Sequence, residues 1–241
     1  MGKTRIRSSE VRILCMARPR LGTRWHMKTL ALLPGVYRPR ADTRLLADAL
    51  ADEPIAPGCD VLEVGTGSGA LALLAARRGA AVTAVDVSRQ ALLTARINAW
   101  RSRLPLRLER GDAGTCTPGR RFDLVISNPP YVPAPHPRGR GAALAWDAGP
   151  DGRSVLDRLC RRAAGLLRTG GVMLLVHSEL CGAATTVARL RDQGLRARVV
   201  RRADLPWGPV LTSRRDWLVQ QGLVTPTTNR EKLVVIRAEQ P

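Results

Sequence analysis

Aromatic residues make up only 3% of this 241-residue chain, and lysine occurs just at Lys3, Lys28 and Lys232. With so few rings, the core has to be built from leucine, valine and alanine. The 44% hydrophobic content is ample for a globular core and excludes wholesale disorder. The five cysteines, Cys15, Cys59, Cys116, Cys160 and Cys181, are odd in number and nowhere spaced C-x-x-C. That argues against a disulfide framework and a zinc site, and fits a reducing cytoplasm. His26, His136 and His177 stand isolated, so no metal is expected. No apolar run approaches the ~20 residues of a membrane span. The longest, Gly69 to Ala76, stops at Arg77. The chain is read as cytoplasmic, with no membrane partner.

What abounds is arginine. The net charge is +19, and residues 1–40 hold ten basic residues against one acid, Glu10. About half the excess thus sits in a sixth of the chain. A basic stretch attracts nucleic acid or ribosomes and says nothing about fold. The same skew also follows from GC-rich codon usage. Residues 1–34 show no sustained helical or strand period and lack the apolar core of a secretory signal. They are read as a basic leader, compatible with a true start at Met16 or Met27, an interacting arm or a transit peptide. Residues 35–241 are read as one domain.

From there strands and helices alternate. Asp42 is placed to cap a helix over Thr43–Ala51. Strands are expected at Asp60–Val64, Ala81–Val85, Leu104–Glu109, Phe122–Ser127, Val172–Val176, Arg196–Arg201 and Lys232–Ala238. Helices are expected at Gly69–Arg78, from Ser88 to about Trp100, at Asp151–Leu167 ending at Gly170-Gly171, and near Gly182–Gln193. Such alternation implies a parallel, doubly wound α/β sheet. Two stretches interrupt it. Pro133–Gly141 (PAPHPRGRG) reads as a mobile loop where a substrate gate would sit, and Asp204–Gly222 as an insertion with one amphipathic helix.

Three motifs carry chemistry. Glu63-Val-Gly65-Thr66-Gly67-Ser-Gly69 joins a strand to a helix, and its glycines let a ligand approach the backbone at the carboxyl edge of a sheet. It is G-x-G-x-G rather than the dinucleotide G-x-G-x-x-G, and Glu63 suits a ligand carrying an ammonium and a sulfonium. Asp86 closes the next strand, 21 residues after Gly65, where a carboxylate can accept both hydroxyls of a ribose. Asp112, after the third strand, can lie near an adenine amino group. The third motif is Asn128-Pro129-Pro130-Tyr131, directly after FDLVIS. The Asn128 side-chain carbonyl and the Pro129 backbone carbonyl make two acceptors for the hydrogens of a planar –NH2, and Tyr131 can pack on its plane. Such a nitrogen is a poor nucleophile. Orienting it towards an electrophilic methyl and stabilising the charge that develops on it is the help it needs.

On EVGTGSG, Asp86 and NPPY, the chain from about Val36 resembles class I S-adenosylmethionine-dependent methyltransferases, within them the HemK/PrmC-like protein-glutamine N5-methyltransferases. Gly35-Val-Tyr37-Arg-Pro39-Arg-Ala-Asp42-Thr43 and Trp146-Asp-Ala-Gly149-Pro-Asp151-Gly152 are similar to segments of the short HemK branch. The resemblance implies a Rossmann-like, seven-stranded, mostly parallel sheet with a reversed last strand. It implies S-adenosyl-L-methionine held by Tyr37, Asp42, Thr43, Glu63, Gly65, Thr66, Gly67, Gly69, Asp86, Val87, Asp112, Ala113 and Asn128. Asn128, Pro129, Pro130 and Tyr131 would bind the substrate, with Asn128, Pro129 and Tyr131 catalytic. The implied substrate is the glutamine of the Gly-Gly-Gln tip of a class I peptide-chain release factor. Short eukaryotic relatives depend on a small zinc-binding activator protein. The amino-terminal helical domain of the long forms has no room here, and the segment after NPPY lacks their Glu-Pro.

Two other readings stay open on residues alone. The same acceptors serve a DNA or RNA base amine (adenine N6, cytosine N4 or guanine N2), which needs the base extruded into the pocket. The charge favours that reading, whereas the few aromatics and the lack of room for a target-recognition domain count against it. A cofactor-binding domain that only docks on ribosomes would leave NPPY idle.

Overall fold

The structure, a computed structural model, describes residues 30–136 and 141–241. The expected basic leader lies outside the described residues up to position 29. Ala31, within its last few residues, is tied to Asn98 by two hydrogen bonds of 2.8 and 3.0 Å.

Seven strands form one sheet: β1 (Asp60–Val64), β2 (Ala81–Asp86), β3 (Arg107–Arg110), β4 (Phe122–Ser127), β5 (Leu167–Ser178), β6 (Arg196–Pro206) and β7 (Arg230–Glu239). Their order is β3-β2-β1-β4-β5-β7-β6. β7 alone runs against its neighbours, pairing antiparallel with β5 and β6, so the reversed last strand is present. The inner strands are almost wholly buried because helices cover both faces, which is why they read as continuous apolar runs rather than as alternation. The helices are α1 (Ala41–Asp52), α2 (Ala70–Arg77), α3 (Arg89–Ser102), α4 (Leu156–Leu166), α5 (Ala183–Asp192), α6 (Pro209–Ser213) and α7 (Arg215–Gln220). Ser88 caps α3 as expected, its hydroxyl accepting from the Ala91 N–H. Two apolar clusters fill the core, one built around Phe122, Leu159 and Met173 and the other around Leu46, Leu71 and Leu174. Among the described residues no helix is long and apolar enough to cross a membrane.

Four local expectations change. Asp42 does not cap α1; the helix starts earlier, behind Arg40, and Asp42 lies in its first turn with its carboxylate engaged elsewhere. α4 ends at Leu166, within one residue of the expected Leu167, but begins at Leu156 rather than Asp151, and Gly170 and Gly171, expected between helix and strand, belong to the irregular start of β5. A side chain at Gly171 would sit 2.9 Å from the Phe122 carbonyl oxygen of the paired strand, so the sheet itself uses that glycine. The expected insertion holds two short helices rather than one, and its first three residues continue β6. Trp207 and Trp217 there are half-buried, Trp207 donating to the Arg230 carbonyl and stacking under Arg215. The described part of Pro133–Gly141 is stapled down: Ala134 N–H donates to Gly149 O at 2.9 Å, and Arg214 donates to Pro133 O at 3.0 Å. Residues 137–140 of that stretch lie outside the described residues.

The topology fixes where a ligand can sit. From β1 the chain winds outward to β2 and β3, then returns to β4 on the other flank of β1. The carboxyl ends of β1 and β4 therefore diverge at a switch point, the place where open α/β sheets leave a crevice.

Candidate active site

A cavity of about 700 Å³ opens at this switch point. Its walls include Tyr37, Asp42, Thr43, Glu63, Gly65, Thr66, Gly67, Asp86, Val87, Asp112, Ala113 and the whole Asn128–Tyr131 turn. Residues singled out across almost a hundred positions of sequence thus line one space. Gly69 is the exception. It precedes α2 with φ +79°, and a Cβ there would meet Ala95 Cβ at 3.1 Å, so this glycine lets α2 approach α3.

The turn after β1 exposes backbone to the cavity. A Cβ would meet nothing within 4 Å at Gly67 and only the Asn128 carbonyl oxygen, at 3.8 Å, at Gly65. Glu63 braces this turn from below. Its Oε2 accepts from Thr66 Oγ1 at 2.5 Å and from the Ala72 N–H at 3.0 Å, and burial pushes its carboxyl up to about 8. Asp86 closes the turn from β2. One of its oxygens accepts from the Gly67 N–H and the other from the Ser88 N–H, both at 2.9 Å. The backbone of Val87 donates to the carboxylate as well, and of the roughly four lone-pair sites on its two oxygens acceptor capacity remains for a ligand. Burial raises the Asp86 carboxyl above the ordinary range. These features fit a nucleoside-bearing cofactor: bare backbone beside a carboxylate with spare acceptors. Asp112 is more committed, accepting from Gly114 and Thr115 and pairing with Arg158 at 3.3 Å.

The second wall is the Asn128–Tyr131 turn. Ser127 Oγ donates to Val64 O at 2.7 Å and so binds the end of β4 to the end of β1. Beyond it, polar groups converge on Asp42, which is only 4% exposed. Its Oδ2 accepts from Tyr37 Oη at 2.9 Å, Asn128 Nδ2 at 3.0 Å and Tyr131 Oη at 3.3 Å. Its Oδ1 accepts from the Thr43 N–H at 2.6 Å and Thr43 Oγ1 at 3.2 Å. Burial, reinforced by the charge of Asp42, raises both phenols well above their usual range, so both hydroxyls keep the protons they donate.

The Tyr131 main chain is clamped from behind. Cys181 Sγ donates to Tyr131 O at 3.0 Å, and Gly152 packs against the same carbonyl. Val132 then pairs with Asp147, and the buried Asp147 carboxylate meets Arg214 at 2.6 Å.

Sequence reasoning missed two contributors. Glu231, at the start of β7, lines the cavity, and burial raises its carboxyl to about 7. It stands 100 residues from NPPY in no motif, and only its place before the apolar run LVVI marks it as a strand edge. Arg158, on α4, holds Asp112 and lines the same space, yet reads in sequence as one of many arginines.

The methyltransferase small domain family matches residues 29–201. A Methanocaldococcus jannaschii protein named as an N5-glutamine methyltransferase is 32% identical over 181 residues, 74% of this chain and 90% of that one. The release factor glutamine methyltransferase of Gloeobacter violaceus is 36% identical, covering 75% of this chain and 67% of its own. That of Streptomyces coelicolor is 38% identical over 62% of this chain and 57% of its own. Among solved structures, the E. cuniculi Mtq2–Trm112 complex, responsible for methylating the eRF1 termination factor, aligns with a TM-score of 0.59. It does so at 24% identity, over 86% of this chain and 99% of that one. A Thermus thermophilus 16S rRNA guanine N2 methyltransferase aligns at 0.57 with 23% identity, over 87% of this chain and 46% of that one. At these identities the structural likeness speaks for the shared fold alone.

Proposed function

The chain belongs to the HemK/PrmC-like branch of the methyltransferase small domain family, and on that footing we propose that it methylates the side-chain amide of a protein glutamine. The target we propose is the glutamine of the Gly-Gly-Gln tip of a class I release factor. The observation that supports it best is the meeting of two turns at one switch point: backbone open to a cofactor after β1, and the Asn128–Tyr131 acceptors after β4.

S-adenosyl-L-methionine, when bound, supplies an electrophilic methyl on a sulfonium. In this reading the Gly65–Gly67 backbone receives its chain and Asp86 its ribose, with Val87 and Ala113 against the adenine. Asn128 Oδ1 and the Pro129 carbonyl accept the two amide hydrogens and aim the nitrogen lone pair at the methyl. The positive charge that develops on nitrogen falls between these two oxygens, which are worth most in such a desolvated site. The methylated nitrogen would then lose one N–H proton to water while the cofactor would leave as its neutral thioether, so this chain need supply no base beforehand. Tyr131 closes the wall against the amide plane. The excess arginine supports attraction to the ribosome, where release factors act, and cytoplasmic residence follows from the same substrate.

The test offers a release factor, DNA and RNA in parallel, with methyl-labelled S-adenosylmethionine, and locates the label by mass spectrometry. Label on the tip glutamine is expected. Label on a base amine would overturn the substrate assignment. Since the E. cuniculi assembly contains two chains, one arm adds extract of the source cells; activity confined to that arm would reveal a small activator protein.

A further inference from the structure

Asn128 is useful to a target amide only if its oxygen, and not its nitrogen, faces the ligand. An isolated asparagine side chain has no such preference, because rotating the amide by half a turn exchanges the two ends. Something has to hold it. We infer that Asp42 is the positioning residue that fixes the Asn128 amide with its oxygen towards the target nitrogen. The inference rests on the functional reading above.

Both hydrogens of Asn128 Nδ2 are already committed, one to Asp42 Oδ2 at 3.0 Å and the other to Thr43 Oγ1 at 3.3 Å. Thr43 can accept there because its own hydroxyl hydrogen points at Asp42 Oδ1. A flipped amide would set its oxygen against a carboxylate oxygen, with no hydrogen between them. The carboxylate is held in turn, since Tyr37, Tyr131 and the Thr43 N–H all donate to it. No ion pair to Asp42 exists among the described residues. Its charge is balanced by five hydrogen bonds from neutral donors, a fixed and fully satisfied network of the kind that specifies one arrangement. Asp42 therefore acts through Asn128, whereas the family resemblance implied a contact with the cofactor.

Glu231 and Asp42 are the two acids at this end of the cavity, and each raises the proton affinity of the groups around it. Only Asp42 touches Asn128. The network spans 86 residues of sequence, from the first turn of α1 to the end of β4.

The experiment combines a double-mutant cycle with a readout that needs no turnover. Asp42→Ala is expected to cut single-turnover methylation of the release factor about 100-fold while S-adenosylmethionine affinity stays within threefold. In the Asn128→Ala background the same substitution should cost less than threefold. Asp42→Asn, whose carbonyl can still accept from Asn128, should keep at least a tenth of the wild-type rate, and thermal melts identify any variant that fails to fold. Independently, the chain holds three asparagines, Asn98, Asn128 and Asn229, so 15N-asparagine labelling gives three side-chain amide pairs. The pair lost in Asn128→Ala should exchange with water at least tenfold faster in Asp42→Ala than in wild type. Equal losses in both backgrounds, a cofactor affinity that collapses in Asp42→Ala, or unchanged amide exchange would each overturn the inference. If wild type fails to methylate the release factor, the functional reading fails, and the amide exchange still decides the positioning role.

Discussion

Replacing Gly152, which does not itself line the cavity, with alanine should disable methyl transfer by displacing Tyr131, which does. Gly152 sits at φ +70°, in the left-handed region, behind the NPPY turn. A Cβ there would overlap the Tyr131 carbonyl oxygen and lie 2.7 Å from Cys181 Sγ. Neither neighbour can yield cheaply. The first is backbone, and the second is a buried thiol already donating to that same carbonyl. Restoring ordinary contact distances displaces Tyr131 by about 1 Å, a misplacement that costs about 100-fold when it reaches a reacting geometry. The left-handed conformation adds about 1–2 kcal/mol of strain for a residue with a Cβ. The assay is kcat for labelled methyl transfer, with cofactor affinity by calorimetry and a denaturant melt alongside. We expect kcat to fall about 100-fold and cofactor affinity to hold, because the atoms a Gly152 side chain would meet first belong to Tyr131 and Cys181 and not to the glycine turn after β1. An unchanged kcat in a protein that still folds would refute the idea that the clamp on Tyr131 sets the site.

Three further outcomes follow from the same geometry. Asp86→Ala should weaken S-adenosylmethionine binding at least tenfold with little effect on the rate at saturation; intact affinity would remove Asp86 from the site. Burial lowers the His177 pKa to about 4, below its free value of 6.5, so the unfolded chain takes up the proton first. That contribution to stability is present above pH 6.5 and is lost as pH falls towards 4, by about 2 kcal/mol between pH 7 and pH 5. Denaturant midpoints of wild type and His177→Leu at both pH values check this, and equal slopes with pH would contradict it. Finally, a cation bound beside Glu63, whose carboxyl burial raises to about 8, should lower that value and release a proton. S-adenosylmethionine should accordingly bind more tightly at pH 9 than at pH 7, and Glu63→Gln should flatten the dependence; a flat wild-type profile would place the cation elsewhere.

The parts of the site that were legible in sequence are those whose chemistry is local. EVGTGSG and NPPY each occupy one strand-to-loop junction, and alternation of buried strands with helices dictates that both junctions open on one sheet edge. Asp86 was legible for the same reason, as the residue that ends a strand. What stayed hidden is pairing at long range. Asp42 has the sequence profile of a helix cap, and nothing near it in the chain announces Asn128, Tyr131 and Tyr37 as its donors. Glu231 comes from the reversed strand β7, whose place beside β5 brings its first residues to the cavity. The end of α4 was legible to within one residue, but the start of β5 was not: Gly170-Gly171 reads locally as a break before the strand, whereas pairing of Leu167 with Phe122 brings the chain into the sheet five residues before the expected Val172.

The central claim is that Asn128 holds the target nitrogen and contributes to methyl transfer rather than to cofactor binding. It is tested most directly by measuring S-adenosylmethionine affinity and single-turnover methyl transfer on the same preparation of Asn128→Ala. An interaction realised in the transition state predicts an affinity within threefold of wild type and a transfer rate lower by about 100-fold or more. Collapse of both together would make Asn128 a structural residue and contradict the account.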